Sequence, residues 1–133
     1  MTYLNAWRGE AISDAMLATN FPHLSRSNHF RELSESFALV EQKIRSKTVI
    51  DLGCGKAELA DCLPDYDYCG ADLPGIIENV SKKVRPTLKY IGFDATDSDM
   101  EFISDYDVVV MNGFLSELAD ADVVLAKVLK NAK

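Results

Sequence analysis

Four short apolar runs, Thr48 to Leu52, Tyr68 to Ala71, Leu88 to Phe93 and Val108 to Met111, are separated by stretches of helix length. This alternation restricts the chain more than any other feature. Runs as predominantly apolar as these, broken only by Asp51 and Lys89, suit strands buried in a sheet, and helix-sized connections between them suit crossovers between parallel strands. The spacing predicts helices over Ala57 to Leu63, stopped by Pro64; over Gly75 to Val84, with Ile76, Ile77, Val80 and Val84 on one face; over Ser98 to Ile103; and over Asp120 to Lys130. The expected fold is α/β, an open, doubly wound, mainly parallel sheet. Its ligands belong outside the carboxyl ends of the strands.

Before residue 47 the pattern is purely helical, so residues 1–46 read as a leader or lid and residues 47–133 as the α/β body. In the leader, Phe30, Leu33, Phe37, Val40 and Ile44 recur at three- and four-residue steps, with Ser27 or Asn28 placed to cap that helix. A shorter helix is expected through Ile12, Ala15 and Met16, ending before Pro22. At 133 residues the chain has room for one core. It shows neither a signal peptide nor an apolar stretch long enough to cross a bilayer, so a cytoplasmic, membrane-free protein is expected.

Charge narrows the partners. Residues 1–50 carry 6 Lys/Arg against 5 Asp/Glu, whereas residues 51–133 carry 8 against 16. An acidic body without a basic stripe disfavours a nucleic-acid partner. Cys54, Cys62 and Cys69 form no CxxC pair, which argues against a disulfide framework or a metal site and leaves them as small apolar side chains.

The candidate chemistry sits where strands end. In Val49-Ile50-Asp51-Leu52-Gly53-Cys54-Gly55-Lys56-Ala57, a strand closes on an acid and turns through two glycines toward a helix. Gly53 and Gly55 allow a tight turn that a ligand can touch without meeting a Cβ, and a helix start offers N–H donors. Such a turn also occurs with no ligand. Asp72 ends the second run, 17 residues after Gly55, where a carboxylate can accept both hydroxyls of a ribose; it could equally cap a helix starting at Pro74. Asp94, in Phe93-Asp94-Ala95-Thr96, could accept the exocyclic amine of an adenine or simply hold a turn.

Together Asp51-Leu52-Gly53-Cys54-Gly55, Asp72, Asp94-Ala95 and Asp107-Val108-Val109-Val110-Met111-Asn112-Gly113-Phe114-Leu115 resemble the motifs of the class I, seven-strand, Rossmann-like methyltransferases that use S-adenosyl-L-methionine. The resemblance spans about Thr48 to Lys130 and leaves the leader out. It implies that the backbone of Gly53, Cys54 and Gly55 lies against the methionine part of the cofactor, with Asp51 ordering the turn or reaching the ammonium through water. Asp72 would hold the ribose, Leu73 would pack on the adenine, and Asp94 with Ala95 would read its edge. Asn112 and Gly113 would border the sulfonium.

Two departures stand out. Ala57 replaces the family's third glycine, and the chain ends after the fourth strand and its helix, as the N-terminal portion of such a domain would. Methyl transfer from a sulfonium needs alignment more than a catalytic side chain; Glu117, just after the fourth strand, is the candidate base. In the leader, His23 or His29 could reach over the cofactor as a lid group, Arg31 could pair with the methionine carboxylate, and Trp7, Phe21 and Phe30 could close over a substrate; surface, capping and packing roles are the alternatives. The expected activity is methylation of a small-molecule acceptor. The alternatives are a non-catalytic module that binds the cofactor or a partner, and a nicotinamide-binding half-domain, which Glu58 in the last position of the glycine register disfavours.

Overall fold

The structure, a computed structural model, describes residues 35–112, 114, 118 and 120–132. Gly113, Glu117, His23, His29, Arg31, Trp7, Phe21, Phe30 and the helix expected through Ile12 lie outside these residues. Residues 35–40 are helical (α1).

The four apolar runs are strands: β1 (Thr48–Leu52), β2 (Asp67–Asp72), β3 (Lys89–Gly92) and β4 (Val108–Val110). They form a parallel sheet in the order β3-β2-β1-β4, with Asp51 level with Gly70 on one side and Val110 on the other. The chain therefore walks outward from β1 to β3 and then returns across β1 to place β4. That reversal between β1 and β4 is the point at which an open α/β sheet leaves a crevice at its carboxyl edge.

Side chains alternate across the sheet and divide the core in two. Ile50, Leu52, Cys69 and Ala71 pack with Met100 and Ile103 and with Val124 and Val128 of the helix Ala121–Asn131 (α3). Val49, Tyr68, Val108 and Val110 pack with Ala57, Leu59 and the leader residue Phe37. Phe37 meets Tyr66 edge to face at 5.5 Å, and the Asp107 carboxylate accepts the N–H groups of Arg45 and Ser46 at 2.9 and 2.7 Å. The segment ahead of β1 is thus fastened to the sheet. No helix among the described residues is long and apolar enough to cross a membrane.

Two expected helices are shorter and tighter than the spacing predicts. Instead of an α-helix over Ala57 to Leu63 there is one 3₁₀ turn, Glu58–Cys62, and the segment expected to be helical from Ser98 is a second, Glu101–Asp105. Each is entered through a buried non-glycine residue in the left-handed region, Ala57 at φ 59° and Met100 at φ 58°. The cause at the first is length. The turn uses residues through Ala57, and Pro64 disfavours helical geometry at Leu63, which leaves too few residues for an α-helix to nucleate. The helix after β2 is present over residues 74–84 (α2), but its middle, Ile77–Ser81, is π-helical, with the Lys82 N–H donating to the Ile77 carbonyl.

Candidate functional site

The glycine turn is built from positive backbone angles. Gly53 sits at φ 75° and Gly55 at φ 53°, conformations that favour glycine. Space also matters at Gly53, where a Cβ would lie 2.9 Å from a ring carbon of Phe114, and at Gly70 in β2, where it would lie 2.8 Å from the Cys54 sulfur. The turn therefore presses down on β2 and is covered in part by Phe114. At both positions it is the chain's own side chains that require glycine.

Four of its N–H groups are already committed. Gly53 and Cys54 both donate to the Ala71 carbonyl, at 2.7 and 3.2 Å, Gly55 donates to an Asp72 carboxylate oxygen at 3.0 Å, and Ala57 donates to the Cys54 carbonyl at 2.8 Å. The helix-start donors expected from the sequence are thus absent in that form. A 3₁₀ turn follows, and these amides bond within the protein. A ligand would meet this turn as close-packed backbone, with polar recognition left to the carboxylates.

Asp72 is the centre of the arrangement. One carboxylate oxygen accepts the Gly55 N–H and the other accepts the Leu73 N–H at 2.8 Å, so the tip of β2 is tied to the turn after β1. It is not the cap of α2: Leu73 occupies that position, with no side-chain cap bond. Each oxygen keeps a second lone pair, so the carboxylate can accept a pair of hydroxyls while holding the turn. Burial raises its pKa above the ordinary aspartate value, opposed by the two N–H bonds. Leu73 is 6% exposed and belongs to the core, so it offers a ligand little surface.

Asp94 follows β3 and is drawn beside Asp72, because the Phe93 N–H donates to the Asp72 carbonyl at 2.9 Å. One Asp94 carboxylate oxygen accepts the Thr96 N–H at 3.0 Å and its hydroxyl at 2.7 Å. The turn role left open by the sequence is therefore real, and it orients the carboxylate. Ala95 is buried in the core beneath it, and Asn112, half-buried, lies beyond β4 on the opposite side of β1. Gly53, Cys54, Gly55, Asp72, Leu73, Asp94, Ala95 and Asn112 are thus all brought to the carboxyl edge of one sheet.

Asp51 differs from its expected position. It is not at the open tip but inside β1, 4% exposed, and its carboxylate accepts the Tyr68 hydroxyl at 2.6 Å. Burial pushes its pKa up to about 7, with the Tyr68 bond lowering it and the charge of Asp72 raising it. The Cys54 thiol is also pushed up by burial and the neighbouring acids, which keeps it protonated and a poor nucleophile.

Sequence reasoning missed the supports beneath the turn. Ser81 is fully buried, and its hydroxyl donates to the Gly55 carbonyl at 2.6 Å. Arg85 donates to the Lys56 carbonyl at 2.6 Å and grips Asp61 through two nitrogens, at 3.1 and 2.5 Å. Tyr90 ties this end of α2 down by donating to the Arg85 carbonyl at 2.7 Å. The one signal was a serine among the apolar positions of α2, where the π-helical turn changes the face it presents. Ser81→Ala should lower stability by about 1 kcal/mol, the net worth of one such bond, and Ser81→Thr should restore part of it; paired thermal melts check this.

The same fold occurs in solved structures. A TehB-like SAM-dependent methyltransferase from Corynebacterium glutamicum matches with a TM-score of 0.58 and 19% identity over 92% of this chain and 66% of that one. A protein from Pyrococcus horikoshii OT3 matches at 0.53, with 21% identity over 81% and 55%. A protein from Nostoc punctiforme, provisionally assigned as an O-methyltransferase, matches at 0.52, with 20% identity over 77% and 34%. The chain thus spans from about a third to just under two thirds of the length of these structures, and at such identities the likeness shows the fold. A comparison with curated proteins finds no match. The family model described as methionine biosynthesis protein MetW matches residues 34–133, three quarters of the sequence and all of the site, and the chain belongs to the MetW family.

Proposed function

We propose that the chain binds S-adenosyl-L-methionine at the carboxyl edge of β1, β2 and β3 and takes part in methyl transfer to a small-molecule acceptor. The observation that carries this reading is Asp72: a half-buried carboxylate at the tip of β2, oriented by two backbone N–H groups, beside a glycine turn at the point where the sheet reverses. The turn at Gly53 and Gly55, with its positive backbone angles, supports a place for the methionine part, the Asp72 carboxylate supports a ribose diol, and Asp94 supports an amine-bearing purine edge. The SAM-dependent methyltransferase among the structural neighbours supports the same cofactor. When bound, that cofactor supplies a methyl group already activated by a sulfonium.

The work left to this chain is to orient and to exclude water. Gly53, Gly55 and Phe114 give a close-packed wall, and alignment of acceptor, methyl and sulfur is worth roughly 7–11 kcal/mol of barrier in well-ordered systems. No side chain needs to act as a base when the acceptor arrives already nucleophilic. The acidic body supports an uncharged or cationic acceptor over a phosphate-rich one.

Calorimetric titration of the chain with S-adenosylmethionine and S-adenosylhomocysteine tests the reading. Saturable binding of both is expected. Absence of heat with either, or tighter binding of NADH, overturns it.

A further inference from the structure

We propose that Lys127, on α3 and outside the strand-tip motifs, is a specificity-determining positioning residue that sets the preference of the site for a 6-amino over a 6-oxo purine. This rests on the cofactor reading above. The Lys127 ammonium donates to the carbonyls of Ala95 at 3.0 Å and Ser98 at 3.1 Å. One turn further along α3, the Asn131 amide donates to the Asp99 carbonyl at 2.9 Å and to the Lys127 carbonyl at 2.9 Å. Three carbonyls of the segment that follows β3 are therefore held from one helix, which is itself anchored by Val124 and Val128 in the core.

The consequence lies in a single peptide plane. The unit joining Ala95 to Thr96 has its carbonyl on Lys127 and its N–H on the Asp94 carboxylate, so it is fixed at both ends. The Thr96 hydroxyl donates to the same Asp94 oxygen at 2.7 Å. Lys127 thus acts on Asp94 through one rigid unit, and the direction of the Asp94 carboxylate follows from where the lysine holds the Ala95 carbonyl. A carboxylate fixed in this way accepts an exocyclic amine and repels a carbonyl oxygen placed at the same point. A carboxylate on a loosened turn can rotate away from the carbonyl, and the discrimination falls.

The test compares S-adenosylhomocysteine with S-inosylhomocysteine, which differ in that amine, by calorimetry on the full chain. The native chain should favour the adenosyl ligand by at least about tenfold, and Lys127→Met should reduce that ratio by about fivefold or more, chiefly through weaker adenosyl binding. Thr96→Val, which removes only the hydroxyl bond to Asp94, should move the ratio in the same direction and keeps the test open if Lys127→Met does not fold. Lys130→Met, an equal charge change at an exposed position of α3, should leave the ratio unchanged. General loosening would weaken both ligands alike. An unchanged ratio in Lys127→Met, or in Thr96→Val should the lysine variant not fold, overturns the inference. So does a native chain that binds both ligands equally, although the cofactor reading then stands. A native chain that binds neither overturns that reading itself.

Discussion

Replacing Asp72 with Ala is expected to weaken S-adenosylhomocysteine binding at least about 100-fold, because two charge-assisted hydrogen bonds to a ribose are lost, at about 1.5–3 kcal/mol each. The same change removes the acceptor for the Gly55 and Leu73 N–H groups. Leaving part-buried donors unpaired costs about 1–3 kcal/mol apiece, so the apo protein should also lose about 2–6 kcal/mol of stability. The two effects separate in Asp72→Asn. Its amide oxygen can keep one backbone N–H, but its NH₂ faces the other donor and can no longer accept a second hydroxyl. Binding should therefore fall further than stability does. Denaturant unfolding beside calorimetry reads both, and a variant that is destabilised yet binds normally would remove Asp72 from the ligand site and leave it as a brace.

The sheet was legible in the sequence because its central strands are covered on both faces. Residues such as Val49 and Ile50, which face opposite ways, must both be apolar, and a continuous run leaves few other readings. The strand tips were legible for the same reason, since Asp72 and Asp94 are the first polar residues after such runs. What lies just after a tip was less visible. Whether Gly55 to Leu63 forms an α-helix or a 3₁₀ turn depends on how many residues the turn consumes, and Ala57 in the left-handed region is set by the tertiary fold against its own propensity. Long-range partners left no local trace. Ser81 meets Gly55 across 26 residues and Lys127 meets Ala95 across 32, and neither spacing has a periodicity to betray it. An acid near a strand end looks like a tip residue, yet Asp51 lies inside β1. Only the neighbour Tyr68, level with Val49 in the adjacent strand, reveals that the carboxylate is sealed inside.

That sealed carboxylate should govern the pH dependence of stability. The Asp51 pKa stands near 7 in the folded chain against an ordinary value of 3.8, so between these values the folded state holds a proton that the unfolded chain has released. Stability from this group is full below the lower value and is lost as pH rises, by about 1.4 kcal/mol per unit, until the folded carboxyl itself ionises. Asp72, raised by burial, adds to the same trend. Asp51→Asn stays neutral throughout and keeps an oxygen to accept the Tyr68 hydroxyl. At pH 5, little more than one unit above the unfolded value, it should therefore be more stable than the native chain by only about 1.5 kcal/mol. At pH 8, where the native chain must carry a buried charge, the difference should reach about 4 kcal/mol. Tyr68→Phe should behave in the opposite way, because the hydroxyl stabilises the ionised form; its cost, about 1–3 kcal/mol, should be larger at pH 8 than at pH 5. Urea unfolding at the two pH values decides the matter. Parallel losses in both variants at both pH values would mean that Asp51 is already ionised when folded, and that Tyr68 alone is enough to hold a charge beneath the turn.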